Sequence, residues 1–261
     1  MLGGYKMGTY AYKNEDRNES SVIFAKDAQE KHRKVRYYCP NLDCLAELYI
    51  CSLDGEKEAY FSANSSIKHI DGCWGASKNS KIKLNEYTEE LFEFEDALTN
   101  LMKPISTSKK DSERQEGKTH GTGDSKLKTL RTIHQIYEMC KSNHIKDTYN
   151  GTLIGYMLLD KRSEYLYSKG IYGFKIVECT RQKPNFYNNE KKELFLVAPK
   201  DIHRFKLILQ LENASLFTKL KNSYYSNRDA TVIVAGNWSY SKERKAFLTE
   251  INSAKQFKIL K

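Results

Sequence analysis

No apolar run in this 261-residue chain approaches the ~20 residues that a bilayer-crossing helix needs, which argues against a membrane protein. The opening stretch, MLGGYKMGTYAYKNEDRN, lacks the apolar core of a signal peptide. That predicts a cytoplasmic protein whose six cysteines are reduced or metal-bound rather than disulfide-paired. Enzyme signatures are missing too: there is no HExxH, no GxSxG and no complete phosphate loop. Gly117-Lys118-Thr119 has the ending of such a loop, but Ser112 stands where the leading glycine belongs and no apolar strand precedes it. Prolines number four, and hydrophobic residues make up 39% of the chain, below the globular norm yet enough for a core.

What the chain has in excess is positive charge, and it is unevenly placed. Against a net charge of +10, residues 1–100 carry 13 basic and 17 acidic side chains and so stand at −4. Residues 127–261 carry +12. An excess of this kind favours a polyanionic partner, and here it points to the C-terminal half.

Composition also divides the chain. Residues 104–126, PISTSKKDSERQEGKTHGTGDSK, hold one aliphatic side chain among Ser, Thr, Gly and charged residues, the composition of a flexible linker. Before it, Tyr87, Leu91, Phe94, Leu98 and Leu101 recur at helical spacing, with Glu86, Glu89, Glu90, Glu93 and Asp96 on the opposite face. After it, Leu127, Leu130, Ile133, Ile136 or Tyr137, and Cys140 predict a second amphipathic helix. The expected domains are therefore 8–103, a linker at 104–126, and 127–261.

The first domain holds a candidate metal knuckle. Cys39-Pro40-Asn41-Leu42-Asp43-Cys44 gives C-x4-C, and His69-Ile70-Asp71-Gly72-Cys73 gives H-x3-C. Two short ligand pairs separated by a strand-rich stretch are how a tetrahedral zinc site is assembled. Leu45–Leu53 and Glu58–Ala63 read as strands around an Asp54-Gly55 turn that would fold one pair over the other. Cys39, Cys44, His69 and Cys73 would fill all four positions of Zn2+, which makes the site structural rather than catalytic. Cys51 is the alternative ligand if one of the four is replaced.

Val22-Ile23-Phe24-Ala25-Lys26-Asp27-Ala28, then Tyr37-Tyr38-Cys39-Pro40, then Tyr60-Phe61 and His69 form a strand, an A-x-D-A turn, a ligand turn and an aromatic strand leading to a histidine. This pattern resembles the N-terminal zinc-binding region of competence protein CoiA-like proteins, over roughly residues 8–75. The spacing departs from that family in C-x4-C and in ending at His69 and Cys73. The resemblance implies a DNA-processing setting with a nuclease-like segment further on, and no such segment is visible in this sequence.

From Gly170 onward the apolar pattern turns to period two. Strands are expected at Ile171–Thr180, Glu193–Ala198, Arg204–Leu211, Thr231–Gly236 and Lys255–Leu260, with a helix at Ala214–Tyr225 capped by Asn213. The order β-β-β-α-β-β is that of an OB-fold barrel. The fold class is thus α+β: a small zinc-knuckle β domain plus helix, a flexible linker, then a helix and an OB-like five-stranded β-barrel. The segment 237–254, long, basic and partly helical in pattern, is expected to be its last binding loop.

Single-strand recognition needs flat rings for base stacking and cations along the phosphates. The candidates are Tyr172, Lys175, Arg181, Lys183, Arg204, Lys206, Trp238, Tyr240, Lys242, Arg244 and Lys245. Trp238 is the foremost ring, because a loop tryptophan among cations is seldom needed for packing. The expected function is non-enzymatic binding of single-stranded DNA or RNA. Two alternatives stand beside it. One is a phage or mobile-element protein that docks on a host nucleoprotein complex through the acidic helix 86–102, in keeping with a Lys/Asn/Tyr-rich, low-GC bacterial composition. The other is a CoiA-like metal-dependent nuclease using Asp160, Glu178 and Glu193 with Lys191 or Lys192.

Overall fold

Short strands rich in tyrosine and small aliphatics build the N-terminal sheet: β1 (Tyr10–Tyr12), β2 (Val22–Phe24), β3 (Tyr37–Tyr38), β4 (Glu47–Cys51) and β5 (Tyr60–Ala63). In the computed structural model, which describes residues 8–54, 58–71, 73–76, 87–104, 128–198 and 205–260, they run antiparallel in the order β2-β1-β3-β4-β5. Ile50 pairs with Phe61 across the β4–β5 hairpin. Gly55 of its expected turn, Leu127, Arg204 and residues 105–126 of the expected linker lie outside the described residues. Ala11, Ile23, Tyr37, Leu48, Ile50 and Phe61 form a core with Cys39, Cys44 and Cys73. It is small, and a third of those residues are cysteines.

The acidic helix begins later than its periodicity predicts. Tyr87 bridges Lys128 instead, Leu91 is exposed, and α1 spans Phe94–Met102. Asn150 explains the delay: its backbone N–H donates to Glu89 (2.6 Å), and its side-chain amide donates to the Phe92 carbonyl and to Glu93 (2.9 and 2.8 Å). Phe94, Leu98 and Leu101 pack on α2 (Ile133–Ser142) and on Ile176, Ile233 and Ala235 of the C-terminal half. A capping box starts α2, with Gln135 N–H donating to Thr132 and Thr132 N–H donating to Gln135.

After α2 come a hairpin, β6 (Thr148–Tyr149) and β7 (Thr152–Leu153), then a single-turn α3 (Ile154–Met157) and β8 (Leu158–Leu159). Next are β9 (Gly173–Arg181), β10 (Tyr187–Asn188), β11 (Glu193–Ala198), β12 (Phe205–Gln210), α4 (Ala214–Ser226), β13 (Val232–Ser241), β14 (Ala246–Glu250) and β15 (Phe257–Ile259). Five of these close on themselves: β9 pairs β11, β11 pairs β12, β12 pairs β14, β14 pairs β13, and β13 returns to β9. Only β12 and β14 run parallel in this ring. With α4 inserted between the third and fourth strands, the result is an OB-like five-stranded barrel, extended by β8, β10 and β15. Leu194, Leu196, Leu207, Leu209, Val232 and Val234 fill it, and Phe217, Leu220 and Tyr224 of α4 join the same core. Gly236 is required where β13 crosses β14, since a Cβ there would collide with Thr249. Asn213 caps α4 as expected, accepting from Leu216 N–H.

The fifth barrel strand is a correction. It is β14, not Lys255–Leu260, which forms β15 on the side of β13. The expected long loop at 237–254 does not form, because β13 continues to Ser241 and turns back within four residues, with Lys245 at φ 47°. The stretch 241–252, SKERKAFLTEIN, is partly helical in pattern. The pairing of Tyr240 with Phe247 and closure of the ladder outweigh that local preference.

The two halves meet through His144, whose buried ring packs edge-on against Tyr10 and Phe24 (5.2 and 5.5 Å). Burial holds its pKa below the ordinary 6.5, with Glu19 and Asp147 opposing. A base depressed in the folded state stabilises fully above its unfolded value, and that contribution is lost as pH falls below it. The urea midpoint is therefore expected to drop as pH is lowered from 7.5 through 6.5, and His144→Gln to flatten that slope. An unchanged slope in the variant would place the titration elsewhere.

Candidate metal centre and nucleic-acid interface

The two ligand turns fold together as their spacing predicts. Cys39 N–H donates to the Ala46 carbonyl and Cys44 N–H to the Asn41 carbonyl, closing the first turn. In the second, Cys73 N–H donates to Ile70 and Ala76 N–H to Cys73. The ligand atoms of Cys39, Cys44, His69 and Cys73 all lie within 4.8 Å of one another. The Cys39 and Cys73 sulfurs are 3.7 Å apart, and Cys44 Sγ is 3.5 Å from His69 Nδ1. Asn41 supports the site by donating its backbone N–H to Cys39 Sγ and its side-chain amide to Cys73 Sγ, both at 3.4 Å. Arg17 ties the first turn down through the carbonyls of Cys39 (2.9 Å) and Cys44 (2.7 Å). Gly75 leaves the room that the sulfurs occupy: a Cβ there would stand 2.7 Å from Cys39 Sγ.

The hydrogen bond between the two thiols pulls Cys73 down to about 3 and, together with burial, pushes Cys39 up. Three sulfurs and one imidazole nitrogen form a soft donor set able to hold a tetrahedral metal. Cys51 is not part of it, since its sulfur lies 3.8 Å from the Tyr49 carbonyl on β4.

Trp74, directly after the candidate ligand Cys73, reaches across to the other half. Its ring lies 4.8 Å from Lys141 Nζ and 4.9 Å from the Arg162 guanidinium. Here a cleft of about 780 Å³ opens between the knuckle and the barrel. Lys141 bridges Asp160 (2.8 Å) and Glu178 (2.9 Å), and Arg162 Nε binds the same Asp160 oxygen at 2.9 Å. Arg162 also reaches Tyr10 and the carbonyls of Asn143 and Cys140. Burial would raise Asp160, but Arg162 and Lys141 outweigh it and hold the carboxyl below its usual range. Burial likewise opposes the charge on Lys141, and Asp160 and Glu178 overcome it.

Of the three expected nuclease carboxylates, the fold thus brings Asp160 and Glu178 together. Glu193 does not join them, being held by both terminal nitrogens of Arg244 (3.0 and 2.8 Å). Two buried cations neutralise the Asp160–Glu178 pair. Among the described residues, the Cys/His cluster is the one group of three or more such ligands close enough to hold a metal. Trp74, Lys141 and Arg162 were not anticipated. The available signal was a lysine four residues after Tyr137, inside an otherwise apolar helix face.

The nucleic-acid candidates fall in three places. Tyr172 and Tyr240 are 52% and 43% exposed and flank Phe247, at 5.6 and 5.1 Å between ring centres. Phe205 touches Phe247 from another side, and Lys206 beside it is exposed. Lys242 and Lys245 are exposed in the β13–β14 turn. Trp238 is a correction: it is 2% exposed, pairs with Gly173 inside the ladder and donates its indole N–H to the Lys175 carbonyl. The ring packs the core because the loop that would have presented it is a strand. Arg244 is committed to Glu193, and Lys175 is half-buried, with burial lowering its pKa. Arg181 and Lys183 lie at the opposite end of β9, where Lys183 pairs with Asp229.

Compared with known proteins, the chain matches no protein-family model and no curated sequence. Among the described residues, no helix is long and apolar enough to cross a membrane.

Proposed function

We propose that this protein binds single-stranded nucleic acid on its OB-like barrel and carries a structural zinc ion in its N-terminal knuckle. The observation that supports the binding reading best is the pair of exposed rings, Tyr172 and Tyr240, set on either side of Phe247 with Lys206, Lys242 and Lys245 around them. Both rings already pack against Phe247, which lowers the side-chain entropy to be lost on stacking. Barrels of this order use the connection between their last two strands for such contacts, and here that connection is the 242–245 turn. The +12 charge of residues 127–261 supplies the long-range attraction.

Titration of the full chain with a labelled oligothymidylate at several salt concentrations tests this. Affinity should fall linearly with log salt, by ~0.7 per phosphate neutralised. Tyr172→Ala and Tyr240→Ala should each cost ~1–3 kcal/mol of binding. An absence of binding at low salt, or binding with no salt slope, overturns the reading. For the metal, the soft Cys3His set leaves no position open, so zinc there braces the two turns.

A further inference from the structure

At the end of β9 remote from Tyr172, the connection to β11 folds back against α4, and several ties fix it there. The Tyr225 and Tyr187 hydroxyls are hydrogen-bonded at 3.2 Å, Lys221 Nζ donates to Asn189 (3.1 Å), and Lys183 pairs with Asp229 (2.7 Å). Phe186 is buried beneath, in ring contact with Tyr187 (5.1 Å) and Tyr225 (5.2 Å). Phe186, Tyr187, Asn189 and Tyr225 line a cavity of about 710 Å³, together with Arg181 and Arg228.

Two features of this cavity point to a ligand. The Arg181 guanidinium sits 4.9 Å from the centre of the Phe186 ring, and its buried Nε has no hydrogen-bond acceptor. A buried, charged N–H without an acceptor is costly, and an incoming phosphate oxygen would satisfy it. Tyr225, meanwhile, is 43% exposed and offers a ring face that its contact with Phe186 holds in place.

We infer that this pocket binds one nucleotide of a single strand, the base on Tyr225 and the phosphate on Arg181 and Arg228. The inference rests on the proposed function in taking the nucleotide as part of a strand, and it adds a second contact point. The nine residues of β9 separate it from Tyr172 by ~30 Å at about 3.3 Å per residue, within reach of the ~4–16 nucleotides such a barrel engages.

The test is fluorescence anisotropy of a labelled oligothymidylate of about twelve nucleotides against the full chain and its variants. Tyr225→Ala is expected to weaken binding about tenfold, while Tyr225→Phe keeps the ring and stays near wild type. Arg228→Gln should weaken binding and lower the salt slope by ~0.7. Arg228 is exposed, so its variant should keep the wild-type thermal midpoint, while Tyr225→Ala, which loses its ring contact with Phe186, is titrated at a temperature where it is fully folded. Wild-type affinity in Tyr225→Ala and Arg228→Gln, with Tyr172→Ala still impaired, removes the pocket and leaves the proposed function standing. Impairment in the Tyr225 and Arg228 variants alone supports the pocket and removes the Tyr172–Tyr240 platform. No binding by the wild type removes both.

Discussion

Replacing Cys39 with serine is expected to abolish metal binding and unfold the N-terminal sheet while the barrel stays folded. The core of that sheet consists mainly of alanines, medium aliphatics and two aromatic rings, and three of its members are the candidate-ligand cysteines. So small a core supplies only a few kcal/mol, whereas a structural zinc contributes ~10–16 kcal/mol of apparent binding energy in zinc-finger peptides at neutral pH. Losing one sulfur leaves an incomplete site and a free thiolate among apolar neighbours. Elemental analysis should show the metal-to-protein ratio fall from about one to near zero. Tryptophan emission provides a second readout, because only Trp74 and Trp238 contribute to it. Trp238 stays inside the barrel, so a red shift would come from Trp74 leaving Lys141 and Arg162. Cys51→Ser is the control and should keep both metal and emission. Full metal content in Cys39→Ser would overturn the four-ligand assignment.

The features legible in the sequence were those encoded over a few residues. Cys39 and Cys44, and His69 and Cys73, each lie within one turn, and all four ligands meet as their spacing indicates. Asn213 marked the start of α4, and alternation marked β11 to the residue. Asn150-Gly151 is an equally local signal: both residues have positive φ, as a two-residue hairpin turn demands. What no local pattern carries is closure and the junction. Trp238 reads as a loop ring from its neighbours alone, and only pairing with β9 and β14 makes its segment a strand. The apolar stripe on α1 was legible, but the surface it covers, on α2 and the barrel, was not. The charged junction draws on Trp74, Lys141, Asp160, Arg162 and Glu178, far apart in sequence, so each reads separately as an ordinary surface or helix residue.

Asp160→Asn is expected to destabilise the protein by ~3–5 kcal/mol at pH 7, because it removes an anion that two buried cations share. Asp160 is 1% exposed, and Lys141 and Arg162 are each 5% exposed. Asparagine keeps the shape and some hydrogen bonds, but Glu178 alone cannot balance both charges. Asp229→Asn, which breaks the exposed pair with Lys183, should change stability by less than ~1 kcal/mol and serves as the comparison. The pH dependence has a definite sign. The Asp160 carboxyl is depressed in the folded state, so its contribution is complete above the ordinary value of 3.8 and is lost as pH falls below it. The gap between wild type and variant in urea unfolding should therefore be widest near neutrality and close in strong acid. Lys141→Met combined with Asp160→Asn should cost less than the two single changes together, since the pair is removed as a unit. The sign of the single-variant effect also bears on function. Carboxylates held together for catalysis are strained, and replacing them commonly stabilises a protein. A more stable Asp160→Asn would therefore favour the nuclease alternative, with loss of magnesium-dependent cleavage in the same variant as its companion result. A large loss of stability instead makes Asp160 the anion that locks the knuckle to the barrel, so that Trp74 and the Cys/His turns are held beside it.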